Sequence, residues 1–341
     1  MRILNLDGLY FVEPFRRMGH EVLSLGPLPG SDVVLDTMLP LAELLNVLHS
    51  RSFAPDLVVW NDICRPPSVI GIETLPAVTV GFSIDQYCNP WHVAYGAAFD
   101  LMLVAQKDYL PLFEEERLEN RLEWFPLFCN AARDTDQGLE RDIPASFVGT
   151  VEGSVNRERK AFLDAFKKRH PLIVTKGNYV PVYNRSQIVL NQSAAGELNF
   201  RIFEAMACGA ALLTESVENG LPDLFEDAQD LLLYPRGNPT AAADMARKAL
   251  ADGTIQRVAA SGRRKVLARH TSAVRARHIV RRAEALLAQG TTWRKQNPAP
   301  TLKRVANAYN ILASDLELPL PQSLRDIYGQ LGDMTLKSAK A

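Results

Sequence analysis

Arg201 and Glu204 stand three residues apart in the stretch NQSAAGELNFRIFEAMACGAALLTE, residues 191–215. Gly196 and Asn199 break structure ahead of them, and residues 201–208 combine strong helix formers with apolar residues at helical spacing. Gly209 stops that helix. Residues 210–214 form a short apolar run that fits a strand buried on both faces. A helix N-terminus after a loop offers unpaired N–H groups and partial positive charge, which suits a phosphate, and Arg201 in the first turn adds a guanidinium. Glu204, one turn further in, is a carboxylate able to accept hydrogen bonds from the vicinal hydroxyls of a ribose. The same pattern occurs in any α/β protein, with Glu204 on a solvated helix face, and spacing alone does not separate the two readings.

The elements around this segment alternate. Residues 2–6, 21–25, 56–60, 77–82 and 101–105 are short apolar runs with helical segments such as 11–19 and 41–50 between them, which implies parallel βαβ units. After a polar stretch at 130–144, residues 146–148, 173–175, 188–191, 210–214 and 231–234 repeat the pattern. Residues 240–251 and 255–289 read as helices, the latter with many arginines on a solvated face. Two amphipathic helices, 302–316 and 321–331, follow a loop at 290–300.

Composition narrows the class. The chain has 341 residues, 47% hydrophobic and 23% charged, with a formal net charge of −1. That is enough for two cores, and it leaves no basic field for nucleic acid. No apolar run has membrane-spanning length, and the opening MRILNLDG turns polar too quickly for a signal peptide. A cytoplasmic protein without integral membrane association is expected. Cys64, Cys88, Cys129 and Cys208 lie far apart without metal-ligand spacing, so no metal site and no disulfide framework is expected, and the thiols are expected to be reduced and mostly buried.

Several stretches carry a resemblance: RILNLDG (2–8), FSIDQYCNPWH (82–92), FDLMLVAQKDYL (99–110), WFPLFCN (124–130), FVGTVEG (147–153), YNRSQIVLNQS (183–193), LNFRIFEAMACGAALLTE (198–215) and FEDAQDLLLYPRGN (225–238). In this order they resemble the glycosyltransferase 1 and 4 superfamily, and within it the spore-maturation-protein-like group. The resemblance implies a GT-B fold, an α/β architecture of two facing Rossmann-like domains with a central cleft and a helical tail. Residues 1–140 would be the acceptor domain and 141–290 the nucleotide-sugar donor domain. Residues 291–341 would be the tail, crossing back to the first domain or docking a partner; a homo-oligomer is also open.

The implied activity is glycosyl transfer from a nucleotide-diphosphate sugar to a protein, glycan precursor or small molecule, retaining and without a metal or other cofactor. A nucleotide-sugar 2-epimerase and a non-catalytic sugar-nucleotide-binding subunit are the alternatives. Donor contacts fall on Gly149, Thr150, Arg157, Asn199, Phe200, Arg201 and Glu204, with Asp7 and Gly8 bordering the diphosphate. Arg159 and Lys160 read as a solvated helix face. His92 and Asp85 are the candidates for catalysis, since histidine titrates near neutrality and aspartate can orient it or act as base. His92 read alone is equally a loop histidine capping a helix. Many retaining members carry two glutamates eight positions apart here. Glu204 matches the second, but Gly196 stands at the first, with Glu197 one residue out of register.

Overall fold

The structure, a computed structural model, describes residues 1–115, 118, 120–153 and 156–340. The chain divides into two units, Met1–Phe125 with Arg275–Ala341, and Pro126–Val274.

Among the described residues, the first unit is built on seven strands: β1 (Arg2–Asp7), β2 (Glu21–Gly26), β3 (Val33–Val34), β4 (Leu57–Asn61), β5 (Val78–Ser83), β6 (Leu101–Val104) and β7 (Leu122–Trp124). They pair in parallel in the order β3-β2-β1-β4-β5-β6-β7. Helices on both faces bury the strands from two sides, so β4, β5 and β6 are buried throughout, as their unbroken apolar runs require. Crossovers leave β1 and β4 in opposite directions, and the register sets Asp7 beside Asn61 and Asn61 beside Phe82. A crevice at the carboxyl ends of such strands is where open α/β sheets place ligands. The short strands β3 and β7 were not visible as runs in the sequence.

The tail belongs to this first core. The helix Pro298–Ser314 buries Val305, Ala308, Tyr309 and Leu312 on one face, against Trp60, Trp91, Tyr95 and Phe99. Arg294, 3% exposed, donates to the carbonyls of Glu73, Leu75 and Ala77 and pairs with Asp100 at 3.2 Å. It satisfies the turn entering β5, which would otherwise bury unpaired carbonyls. The expected helix at 255–289 is two helices, Thr254–Arg269 and Ser272–Ala288, and the chain returns to the first unit within the second of them.

In the second unit, β8 (Ile143–Val148), β9 (Ile173–Thr175), β10 (Ser186–Leu190), β11 (Ala211–Glu215) and β12 (Leu232–Tyr234) pair in parallel in the order β12-β11-β10-β8-β9. Phe147, Phe162, Phe166 and Tyr234 centre its core. The direction of crossover reverses between β8 and β10. The division falls at residues 125 and 126 rather than near 140. The stretch read as a linker is hydrogen-bonded into this unit: Gln137 N donates to Asn184 Oδ1 at 2.6 Å, Asn184 Nδ2 to Thr135 O at 2.9 Å, and Arg141 to the carbonyls of Tyr183, Ser186 and Cys208. No helix among the described residues is long and apolar enough to cross a membrane.

Candidate functional site

At the β8/β10 reversal, Gly149 follows β8 directly. A Cβ there would come within 2.5 Å of Arg201 Nη2, so a side chain is excluded by the guanidinium lying over it. Arg201 stacks on Phe147, 4.3 Å from the ring centre, and donates to Val148 O (2.9 Å) and Asn191 Oδ1 (2.6 Å). Asn199 Nδ2 reaches the same Asn191 Oδ1 at 3.0 Å. Arg201 thus ties the ends of β8 and β10 to the start of the helix Phe200–Ala207, and its expected role as a phosphate ligand gives way to positioning. Asn199 N-caps that helix without a side-chain cap, and its buried Oδ1 has no hydrogen-bond partner. Phe200 packs edge-on against Phe128 at 5.5 Å.

Glu204 is not on a solvated face. Its side chain is 13% exposed, and Oε1 lies 2.8 Å from Tyr179 Oη and 3.2 Å from Arg133 Nη2. The Tyr179 hydroxyl also lies 2.8 Å from Asp134 Oδ1. One phenolic hydrogen cannot serve two carboxylates, so a proton retained on Glu204 completes the chain Glu204–Tyr179–Asp134. Burial, with Asp134 adding repulsion against the pull of Tyr179 and Arg133, lifts the Glu204 carboxyl to about 7.

A pocket of about 310 Å³ is lined by Arg157, Arg159, Gln192, Ser193, Glu215 and Arg236 among others. Arg157 lines this pocket, and the Thr150 carbonyl accepts from Arg159 Nη1, another lining residue, at 2.8 Å. Arg159 also donates to Gln192 and is 6% exposed. The solvated-face reading holds for Lys160, which is exposed and pairs with Asp164 at 2.7 Å, and fails for Arg159, which is drawn inward by three acceptors. Glu215 accepts from Ser193 N and Oγ and from Gly237 N, fixing the pocket rim.

Gly196 has φ +83°, and a Cβ on it would meet Arg236 Nη1 at 2.9 Å. A glutamate at this position would be strained and would displace that guanidinium. Glu197 does not stand in for it: its carboxylate is 7% exposed and accepts from the N–H groups of Ala194 and Ala195.

In the first unit, four strand-end residues are knit together. Asp62 follows β4, and its carboxylate accepts from the N–H groups of Cys64 (2.7 Å), Ile84 (3.0 Å) and Asp85 (2.9 Å). Asp85 is half-buried and opens the single turn Gln86–Cys88. His92 is a correction. It is fully buried between Trp60 and Trp91, with Nδ1 2.8 Å from Ser83 Oγ and Nε2 3.7 Å from Asp62 Oδ1. Ser83 Oγ accepts from Gln86 and can donate to Nδ1, which leaves the proton on Nε2, a buried atom without a hydrogen-bond partner. Burial holds this imidazole below its ordinary pKa. It orders the loop behind Asp85 and cannot touch a substrate from this position.

Asp7 also turns inward. At φ +64° and 1% exposure, its Oδ2 accepts from Trp60 Nε1 at 2.8 Å while Oδ1 has no partner, and burial lifts the carboxyl to about 6. The carboxyl points into the protein, away from any ligand at the strand end. Gly8 is confined by Tyr10 and Asn61, which a Cβ would strike at 2.8 and 2.9 Å.

The geometry adds Arg236, Tyr179, Asp134 and Asp62 to the residues read from the sequence. Arg236 carried a signal, a cation in the Pro-Arg-Gly turn after an apolar run. Tyr179 carried none, because its partners are 25 and 45 residues away.

Residues 128–281 match the family model described as glycosyl transferase-like. A search of the curated proteins finds no match. Among solved structures, the chain is similar to a glycosyltransferase from Rickettsia africae (TM-score 0.60, 11% identity, 84% of this chain and 98% of that one). It is similar to HepE from Anabaena in complex with UDP and glucose (TM-score 0.62, 12% identity, 84% and 100%). A third is sucrose-phosphate synthase from Thermosynechococcus elongatus (TM-score 0.58, 13% identity, 85% and 100%). The chain has the GT-B fold, and the stretch similar to the glycosyl transferase-like family model spans residues 128–281.

Proposed function

We propose that this protein is a glycosyltransferase that moves a sugar from a nucleotide-diphosphate donor to an acceptor hydroxyl. The observation that carries the reading is the guanidinium-lined pocket at the carboxyl ends of β8, β10 and β11, inside the part of the chain that matches glycosyltransferases. Arg157 and Arg236 are assigned to the diphosphate, where cationic donors stabilise the charge that grows on the leaving group. Protein guanidiniums rather than a metal ion are proposed for that task. Glu204 is assigned to the ribose hydroxyls, as the resemblance implies, and Asn199 Oδ1 offers a further acceptor.

Configuration is proposed to be retained, on the resemblance of residues 191–215 and despite Gly196. The departing phosphate then takes the acceptor proton, and Asp85 is proposed as the first unit's catalytic carboxylate, as the resemblance implies. The acceptor class stays as broad as the sequence left it, and placement in the spore-maturation-protein-like group rests on the same stretches.

The test is incubation of the full chain with a panel of nucleotide sugars and measurement of nucleoside diphosphate release. Release that vanishes in Glu204→Ala and Arg236→Ala supports the assignment. Binding without turnover favours a non-catalytic sugar-nucleotide subunit, and absence of both refutes the reading. An inverted anomer by NMR would replace retention and make Asp85 the base.

A further inference from the structure

We propose that Cys64 and Cys88 form a reversible dithiol–disulfide site, oxidised by small-molecule disulfides, that bridges the loops bearing Asp62 and Asp85. Of the four cysteines, Cys129 and Cys208 are buried, and burial pushes both thiols up to about 12. The other two depart from the expectation of burial. Cys64 is exposed in the loop after β4, and Cys88 is half-buried at the end of the turn after β5. Their sulfurs are 3.8 Å apart.

The surroundings suit exchange chemistry. Cys88 Sγ lies 3.4 Å from Asp85 O, and Asn89 Nδ2 reaches both sulfurs, at 3.6 Å from Cys64 and 3.4 Å from Cys88. The Cys88 thiol and the Asn89 amide favour negative charge on Cys64 and bring it down to about 6, while Cys88 is pushed up. One sulfur is thus a nucleophile at neutral pH and the other keeps its proton.

The step balances without other reagents. The Cys64 thiolate attacks one sulfur of a disulfide RSSR, forming a mixed disulfide and releasing RS⁻, which takes a proton. Cys88 loses its proton to solvent and attacks Cys64 Sγ, so the protein disulfide forms and the second RSH leaves. The protein loses two thiols and the small disulfide is reduced to two. A disulfide bond is about 2.05 Å long, so the sulfurs close by less than about 2 Å. The contacts from Asp62 to Cys64 N and Asp85 N already hold the two loops together.

The consequence for activity rests on the function proposed above. Closing the bridge draws in the turn that Asp85 opens, and a displacement of about 1 Å in a positioning group costs on the order of 100-fold. Oxidised protein is therefore expected to lose at least about tenfold in turnover.

The full chain is treated with excess glutathione disulfide, quenched with an alkylating agent and mapped by mass spectrometry. Two thiols should disappear into a peptide linked through Cys64 and Cys88, and dithiothreitol should restore them. Cys88→Ser should carry one glutathione on Cys64. Retention of all four thiols, or glutathione alone on Cys64 of the unmutated chain, overturns the proposal. Nucleoside diphosphate release is measured in parallel, where Cys64→Ser, which lacks the attacking thiolate, should be insensitive to glutathione disulfide. A bridge that forms without changing turnover overturns the link to Asp85. If neither form turns over any nucleotide sugar, the transferase reading fails while the mapped bridge stands.

Discussion

Replacing Glu204 with glutamine isolates the electrostatic cost of a buried carboxylate from its use. Protonated Glu204 donates to Tyr179 Oη, 2.8 Å away, and a glutamine of the same shape can offer an amide N–H there in its place. The side chain is 13% exposed, and burial is the largest cause of the rise of its pKa from 4.5 to about 7. In the unfolded chain the carboxyl ionises near 4.5, whereas in the folded protein it keeps its proton to about 7. The stability contributed by this difference is fully present below about pH 4.5 and lost as the pH rises through about 7. At about 1.4 kcal/mol per pKa unit, the loss is ~3 kcal/mol. Glutamine does not titrate. The stability of Glu204→Gln relative to the unmutated protein should therefore improve by up to ~3 kcal/mol between pH 5 and pH 8, or several degrees in Tm. Denaturant unfolding of both proteins at the two pH values measures this directly. Nucleoside diphosphate binding, followed by calorimetry, should tighten in the unmutated protein as the pH passes about 7 and stay flat in the variant. A stability difference that does not change with pH would refute the buried, proton-holding carboxylate, whatever the variant does to activity.

Asp85→Asn should lower turnover by about 100-fold with the donor KM unchanged, in a steady-state release assay. His92→Ala should instead lose ~2–4 kcal/mol of stability by opening a cavity in the aromatic core, read by denaturant unfolding. The neutral, buried imidazole has a lowered folded pKa, so its stability is present above about pH 6.5 and lost as the pH falls towards that lowered value, a sensitivity that His92→Ala removes. Arg157→Ala and Arg236→Ala should each weaken nucleoside diphosphate binding about tenfold, with the deficit shrinking at high salt. Arg294→Met should cost about 3 kcal/mol or more in thermal or denaturant unfolding, because Asp100 is left as an unpaired buried charge.

Local patterns in the chain carried much of the fold. The apolar runs of β1, β4, β5, β6 and β10 were legible because parallel strands covered on both faces are mostly apolar, with few polar positions such as Asn5 and Thr79. Strands β3 and β7 were not, being two and three residues long at sheet edges. The stretch at 130–144 misread as linker shows the limit of composition: Arg141 looks solvated by type, yet it donates to carbonyls 42 to 67 residues away, and Asp134 meets Tyr179, 45 residues away.

The candidate site divides along the same line. Gly149 and Arg157 were singled out because they lie between β8 and the helix that follows it, and Glu204 because it is a carboxylate one turn inside the helix Phe200–Ala207. The chemistry of each group was not in the string. Arg201 became a clamp, Asp7 turned inward and His92 entered the core, because each found partners across the β1/β4/β5 or β8/β10 strand ends. By itself the sequence determined the alternation of elements, the two α/β sheets and the glycosyltransferase resemblance, all of which follow from local spacing and motif order. Only the tertiary structure decided which charged groups are available to a ligand, which share protons and which sulfurs meet. Those properties depend on burial and on contacts between residues tens of positions apart, and neighbours along the chain do not encode them.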